Sequence, residues 1–217
     1  MAVVEDDTPT PLKLENLHVN LSGPNTNSLM MGGGANGAKS FTFGTRANEK
    51  VGEDGKFVLK DIFPDAVRPS VSGLPDGFYV KSMQLGQAEV YESGLDFSRG
   101  ASGALRITVS GKAGNVQGGV VDDSGNPVTG AIVVLIPKSD KRRAAGIFYK
   151  NTVTNQQGQF TIKNVDPGDY KAYAWEEIET GAWTDAEFVK PVESKGMEVT
   201  VDPGGQRSLQ LTRIPAK

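Results

Sequence analysis

DGKFVLKDIFP at residues 54–64 and QGQFTIKNVDP at residues 157–167 decide the fold. Each holds a glycine two residues before its phenylalanine and closes on proline. In the second, Phe160 and Ile162 alternate with Thr161 and Lys163, so one face is dry and the other wet, as a half-buried strand requires. Phe57 and Phe160 stand 103 positions apart (160 − 57), and Leu105 and Leu209, each in a closing strand, 104 (209 − 105). The openings also correspond: VVEDDTPTPLKLENLHVNLSGP (3–24) reads like VVDDSGNPVTGAIVVLIP (120–137). A near-constant offset across half of each unit points to two copies of one topology.

Working outward, Leu209 and Leu211 alternate with Gln210 and Thr212, and Leu105, Ile107 and Val109 with Arg106 and Thr108. Residues 131–136 are apolar on both faces, which predicts a central strand covered from two sides. No window of ten or more residues keeps a helical period. Asp123-Ser124-Gly125-Asn126-Pro127 and Asp54-Gly55 supply reversals between strands. In Asp166-Pro167-Gly168-Asp169-Tyr170, Pro and Gly suit the centre of a type II turn, and Tyr170, Ala172 and Ala174 continue as a strand. Short strands at this spacing predict an all-β fold, sandwich or barrel, and the length suits two tandem Ig-like sandwich modules, residues 1–112 and 113–217, with the pattern breaking around Lys112 to Asn115. Gly114 to Gly119 precede Val120-Val121, whereas only Met1-Ala2 precede Val3-Val4. The first strand is therefore expected to be truncated and the chain to be a piece of a longer polypeptide.

Composition narrows the function. Glycine is 27 of 217 residues, nearly twice the usual share of about 7%, as a turn-rich globular chain needs. Lys plus Arg is 23 and Asp plus Glu 26, so no charge excess draws the chain to a phosphate backbone or an anionic membrane, and nucleic acid is not an expected partner. With no cysteine, thiolate metal sites, disulfides and a cysteine nucleophile are excluded. No run of about 18 apolar residues is present, so no helical insertion into a membrane is expected.

The stretches GVVDDSGNPVTGAIVVL (119–135) and TNQQGQFTIKNVDPGDY (154–170) resemble carboxypeptidase regulatory-like domains, a transthyretin-like and Cna B-like sandwich family. In the first half the likeness is looser, because Asp65-Ala66-Val67-Arg68-Pro69 replaces the Pro-Gly-x-Tyr turn. The resemblance implies seven strands and a non-catalytic accessory role in a larger exported bacterial protein, outside the cell or in its envelope. Collagen-adhesin B-type repeats, a similar fold, join a Lys on the first strand to an Asn on the last. Residues 116–122 contain no Lys and residues 208–214 no Asn, so no isopeptide bond is expected in the second module.

Site candidates are few. His18, the sole histidine, has no second His or Cys near it in sequence and reads as a residue on the polar face of a strand. Glu176, Glu177, Glu179, Asp185 and Glu187 could place two carboxylates at glycosidase spacing, but in a hairpin-like stretch, 177–187, such charge keeps a loop tip soluble. Asp122, Asp123, Ser124 and Asn126 lack the spacing and terminal Glu of a calcium loop. The basic run 138–143 reads as a solvated loop tip. The glycine-rich run 31–37 reads as an insertion, without a phosphate loop's Lys-Ser/Thr ending. Trp183, Tyr173 and Trp175 are the candidate contacts for a ligand or partner, since flat aromatic faces stack on sugars and anchor interfaces; for Trp175 a place in the sandwich core is the competing role. No catalytic residue, cofactor or metal site is expected. The chain reads as a structural or spacer module that assembles with copies of itself or with other modules of its parent protein. The alternative is a carbohydrate- or protein-binding accessory module.

Overall fold

The computed structural model describes residues 4–6, 12–23, 45–59, 66–98 and 103–216. The chain is all-β and divides into two compact units, residues 1–111 and 112–217. The glycine-rich run 31–37 lies outside the described residues.

The first unit contains β1 (Val4–Asp6), β2 (His18–Ser22), β3 (Thr45–Lys50), β4 (Ala66–Ser72), β5 (Tyr79–Leu85), β6 (Ala88–Glu89), β7 (Leu95–Asp96) and β8 (Leu105–Ser110). They form two sheets in the orders β3-β2-β4-β7 and β1-β8-β5-β6. Leu17, Val19, Leu21, Met83, Ile107 and Val109 are among the residues that fill the space between. Along β2, Val19 and Leu21 face in, while His18, Asn20 and Ser22 stay partly exposed. The His18 ring Nδ1 meets Asn48 Oδ1 at 2.9 Å. Pro69 sits in β4, which β7 pairs only at Ala66 and Val67. Past that point β4 has β2 on one side only, the edge setting in which a strand tolerates proline.

The second unit contains β9 (Gly114–Val121), β10 (Ile132–Pro137), α1 (Asp140–Ala145), β11 (Lys150–Val153), β12 (Gln159–Val165), β13 (Gly168–Trp175), α2 (Ala186–Val189), β14 (Met197–Val201) and β15 (Gln206–Thr212). Its seven strands make a four-stranded sheet, β11-β10-β13-β14, and a three-stranded sheet, β12-β9-β15. The inward faces meet in a core that includes Val116, Val120, Val133, Leu135, Phe160, Tyr170 and Leu211. Val134, Ile136, Tyr173 and Trp175 point the other way into a second cluster. The apolar run 131–136 is thus covered on both sides.

The units share much of one strand plan. β3-β2-β4-β7 and β11-β10-β13-β14 have the same order and are antiparallel throughout. In each unit the first strand pairs parallel with the last, β1 with β8 and β9 with β15. Gly55 and Gly158 both hold positive φ, 76° and 69°, and the phenylalanines two residues on, Phe57 and Phe160, are both buried. The segment between the third and fourth strands of the shared sheet differs. In the first unit it forms the hairpin β5–β6, which crosses to the other sheet and pairs with β8. In the second it stays on the outer face of its own sheet. Eight strands therefore form among the described residues of the first unit rather than the expected seven. Phe57 is buried outside any strand, whereas Phe160 lies in β12.

Three local expectations need correction. The stretch 177–187 is no hairpin: it holds a 3₁₀ turn at Ala182–Thr184 and the start of α2, where Asp185 caps the helix by accepting from Glu187 N–H at 2.9 Å. The basic run 138–143 is not a bare loop. Ser139 caps α1, Arg142 Nη1 donates to Pro167 O at 2.7 Å and its guanidinium lies 4.8 Å from the Phe148 ring centre, and Arg143 pairs with Asp140. Gly168, at φ 152°, enters β13 directly instead of taking the value near +80° that closes a type II turn; Arg142 holds the preceding carbonyl. Tyr170 Oη donates to Asp166 O at 2.7 Å, and Lys150 Nζ lies 3.1 Å from the buried Asp166 carboxylate.

The β9–β10 reversal depends on Asp122, whose Oδ1 accepts from the N–H groups of Ser124 and Asn126, each at 2.9 Å. The Asn126 N–H chiefly, then its side-chain amide, holds the Asp122 carboxyl below its ordinary pKa. A lowered folded-state pKa contributes stability above the unfolded value of about 3.9, lost as pH falls through the folded one. Asp122→Ala is expected to lower the melting temperature at neutral pH, and the gap to the parent should close on acidification towards about pH 2. Thermal melts across that range check it; an unchanged gap would contradict the assignment.

Candidate functional site

The outer face of the β11-β10-β13-β14 sheet carries an aromatic cluster. Alternation along β10 and β13 sends Val134, Ile136, Tyr173 and Trp175 to this face, and residues 178–192 supply Ile178, Trp183, Val189 and Val192 as its cover. Tyr173 and Trp175 stack with centroids 5.1 Å apart at 19°, and Phe188 leans on Trp175 at 6.4 Å. The three aromatic candidates are brought together, but as packing: Tyr173, Trp175 and Trp183 are 2%, 3% and 7% exposed. None of them offers an open ring face to solvent. Gly196 is part of the same packing, since a Cβ there would stand 2.7 Å from Tyr173 Cε1.

Beside this cluster lies a surface pocket of about 690 Å³, lined by Tyr149, Tyr173 and Trp183 together with charged residues from α1, β13, β14 and the α2 segment. Sequence reasoning passed over Tyr149, which lies just before β11. Burial pushes the Tyr149 and Tyr173 hydroxyls above their ordinary pKa; Glu193 adds to the rise at Tyr173, and Arg143 offsets part of it at both. Both stay protonated and able to donate a hydrogen bond through neutral pH. The charges around them pair off: Lys138 with Glu198 at 2.9 Å, Lys171 with Glu193 at 3.2 Å, Lys190 with Glu187 at 3.5 Å. Lys138 holds Glu198 below its ordinary pKa. The pocket presents apolar and phenolic surface inside a charge-compensated rim, suited to contact and hydrogen bonding rather than proton transfer.

The acidic residues of 176–187 do not converge. Glu176 pairs with Arg213 at 2.7 Å, Asp185 caps α2, Glu187 pairs with Lys190, and Glu177 and Glu179 are exposed. Among the described residues no group of three or more His, Asp or Glu side chains could hold a metal ion, and no helix is long and apolar enough to cross a membrane. A second, shallower groove of about 550 Å³ runs over the three-stranded sheet across Gly118 and Gly119, bordered by the amides of Gln117, Gln159 and Gln210.

Residues 115–212 match the family model of the carboxypeptidase regulatory-like domain. No curated protein sequence matches the chain. Among solved structures it is similar to a candidate carbohydrate-binding protein from Pseudomonas aeruginosa, with 17% identity over 47% of this chain and 89% of that one and a TM-score of 0.31. It is similar to the minor pilin of Streptococcus agalactiae, with 15% identity over 96% and 86% and a TM-score of 0.32. It is also similar to the shaft pilin of Lactobacillus rhamnosus GG, with 11% identity over 92% and 88% and a TM-score of 0.30.

Proposed function

We propose, for a chain whose residues 115–212 match the family model of the carboxypeptidase regulatory-like domain, that it is a non-catalytic structural spacer in a larger exported or cell-surface protein, strung in series with other modules. The observation that carries this reading is the parallel pairing of first and last strands. In the second unit Asn115 to Val121 register with Gln206 to Thr212, and in the first Val4 to Asp6 register with Ile107 to Val109. Two strands that run the same way bring the chain in at one end of a unit and take it out at the other. Tension applied to the ends then slides one strand along its neighbour and loads every bond of the ladder at once. The ladder of the second unit has seven registered pairs, which at about 3.3 Å per residue is roughly 20 Å of shear contact.

Single-molecule pulling tests it, since forced unfolding reads the unfolding barrier directly. Handles at residues 115 and 212 should give a high unfolding force. Handles at 115 and 206, which sit at the same end of the ladder, should peel it one bond at a time at a several-fold lower force. Equal forces in both geometries would overturn the spacer reading. One observation favours a second reading, binding of carbohydrate or a protein partner: the pocket of Tyr149, Tyr173 and Trp183 with its compensated rim. Saturable binding on a glycan array would decide for it.

A further inference from the structure

We propose that the outer edge of β15 is a homodimer interface, pairing antiparallel with β15 of a second copy of this chain about a two-fold axis at Leu209. The proposal rests on the structural-module reading and names the surface through which such a module assembles. The ends of the β9/β15 ladder fix which groups are free. Asn115 N–H donates to Gly205 O at 2.9 Å and Arg213 N–H to Val121 O at 2.8 Å. In a parallel ladder alternate residues of a strand serve one neighbour, so Arg207, Leu209 and Leu211 are spent on β9. Gln206, Ser208, Gln210 and Thr212 direct their N–H and C=O groups to the opposite edge, where no strand pairs with them among the described residues.

The first unit shows what this edge takes. There the corresponding side of β8 is covered by β5, antiparallel, from Tyr79↔Ser110 to Leu85↔Leu105. In the second unit the equivalent segment is committed to the other sheet, which leaves the edge to an outside strand. The usual protections are missing: residues 206–212 contain no proline and no lysine, the ladder has no register shift, and the one charge, Arg207, is tied to Asp202 and to Thr200 O.

The edge is complementary to itself. Antiparallel pairing centred on Leu209 sets Gln206 against Thr212 and Ser208 against Gln210, so every outward-directed residue meets another that can exchange both hydrogen bonds. Arg207 then faces Leu211 and Leu209 faces Leu209, which keeps the two core-side faces on one side of a continuous six-stranded sheet. Leu209, only partly buried in its own unit, gains an apolar neighbour at the axis.

Because the chain has no cysteine, a single introduced thiol reports one contact. Oxidised as the full chain from micromolar to millimolar concentration, Leu209→Cys is expected to cross-link into a dimer, since directly opposed residues at such a position have Cα atoms about 4.5 Å apart. Gln206→Cys, which faces Thr212 of the other copy, should form no cross-link. By light scattering, Ser208→Glu with Gln210→Glu opposes like charges across the axis and should halve the mass of the dimer, whereas Ser208→Glu with Gln210→Lys should retain it. The interface is overturned if Leu209→Cys cross-links no faster than Gln206→Cys, or if the doubly acidic variant keeps the doubled mass. Such a result leaves the spacer reading standing, because the β9/β15 ladder that carries it lies within one chain.

Discussion

Gly118→Val is expected to abolish the native second unit, at a cost above about 4 kcal/mol, in the range reserved for changes that a packed structure cannot absorb. Gly118 lies in β9 with Phe160 of β12 on one side and Leu209 of β15 on the other. A Cβ there would overlap the Leu209 carbonyl oxygen and crowd the same residue's backbone N and C. Backbone cannot rotate away as a side chain does, so the strands must separate, and the parallel ladder goes with them. Gly119, the next residue, is the control. A Cβ there first meets the Gln210 side-chain amide at 3.4 Å, ordinary van der Waals contact with a movable group, and Gly119→Ala should change stability by less than about 1 kcal/mol. Hydrogen exchange over residues 112–217 reads both. Native protection in Gly118→Val would show that β9 and β15 do not approach as described.

Trp175→Ala is expected to cost about 3–5 kcal/mol, the range for deleting a buried large aromatic. Its indole is 3% exposed, stacks on Tyr173, touches Phe188, and belongs to the cluster that fastens residues 178–192 to the sheet. The main core on the other face of β10 and β13 includes neither Trp175 nor Tyr173. The variant should therefore stay folded but unfold at lower denaturant, with protection lost first over α2. Phe188, 41% exposed, contacts the same indole from outside, and Phe188→Ala should cost only about 1 kcal/mol. Denaturant melts of both separate packing from surface cover. A Trp175→Ala loss no larger than that of Phe188→Ala would contradict the buried stack.

Several features of the fold were legible one residue at a time. Alternation at Phe160 and Ile162, and at Leu105, Ile107 and Val109, marks strands because a pleat turns each neighbour to the opposite face. Unbroken apolar character at 131–136 foretold a strand buried on both sides. The candidate site was less legible. Trp183 and the carboxylates of 176–187 have the composition of a soluble loop tip, and the same composition serves a short helical cover whose apolar members point down and charged members point out. Tyr149 gave no sign, since its neighbours in the pocket come from other elements, β10, α1, β13 and β14 among them.

Sequence alone determined what depends on a residue and its near neighbours: the all-β class, the strand faces, the turn at Asp54-Gly55. Tertiary structure alone decided what depends on the path of a connecting segment. The two units differ in whether that segment crosses to the second sheet, as β5–β6 does, or stays as a lid over the first. On that choice rest the burial of Trp175 and Trp183, the pocket beside them and the open edge of β15. No local periodicity encodes it, because it is settled by which sheet face or sheet edge, far away in sequence, the segment finds to cover.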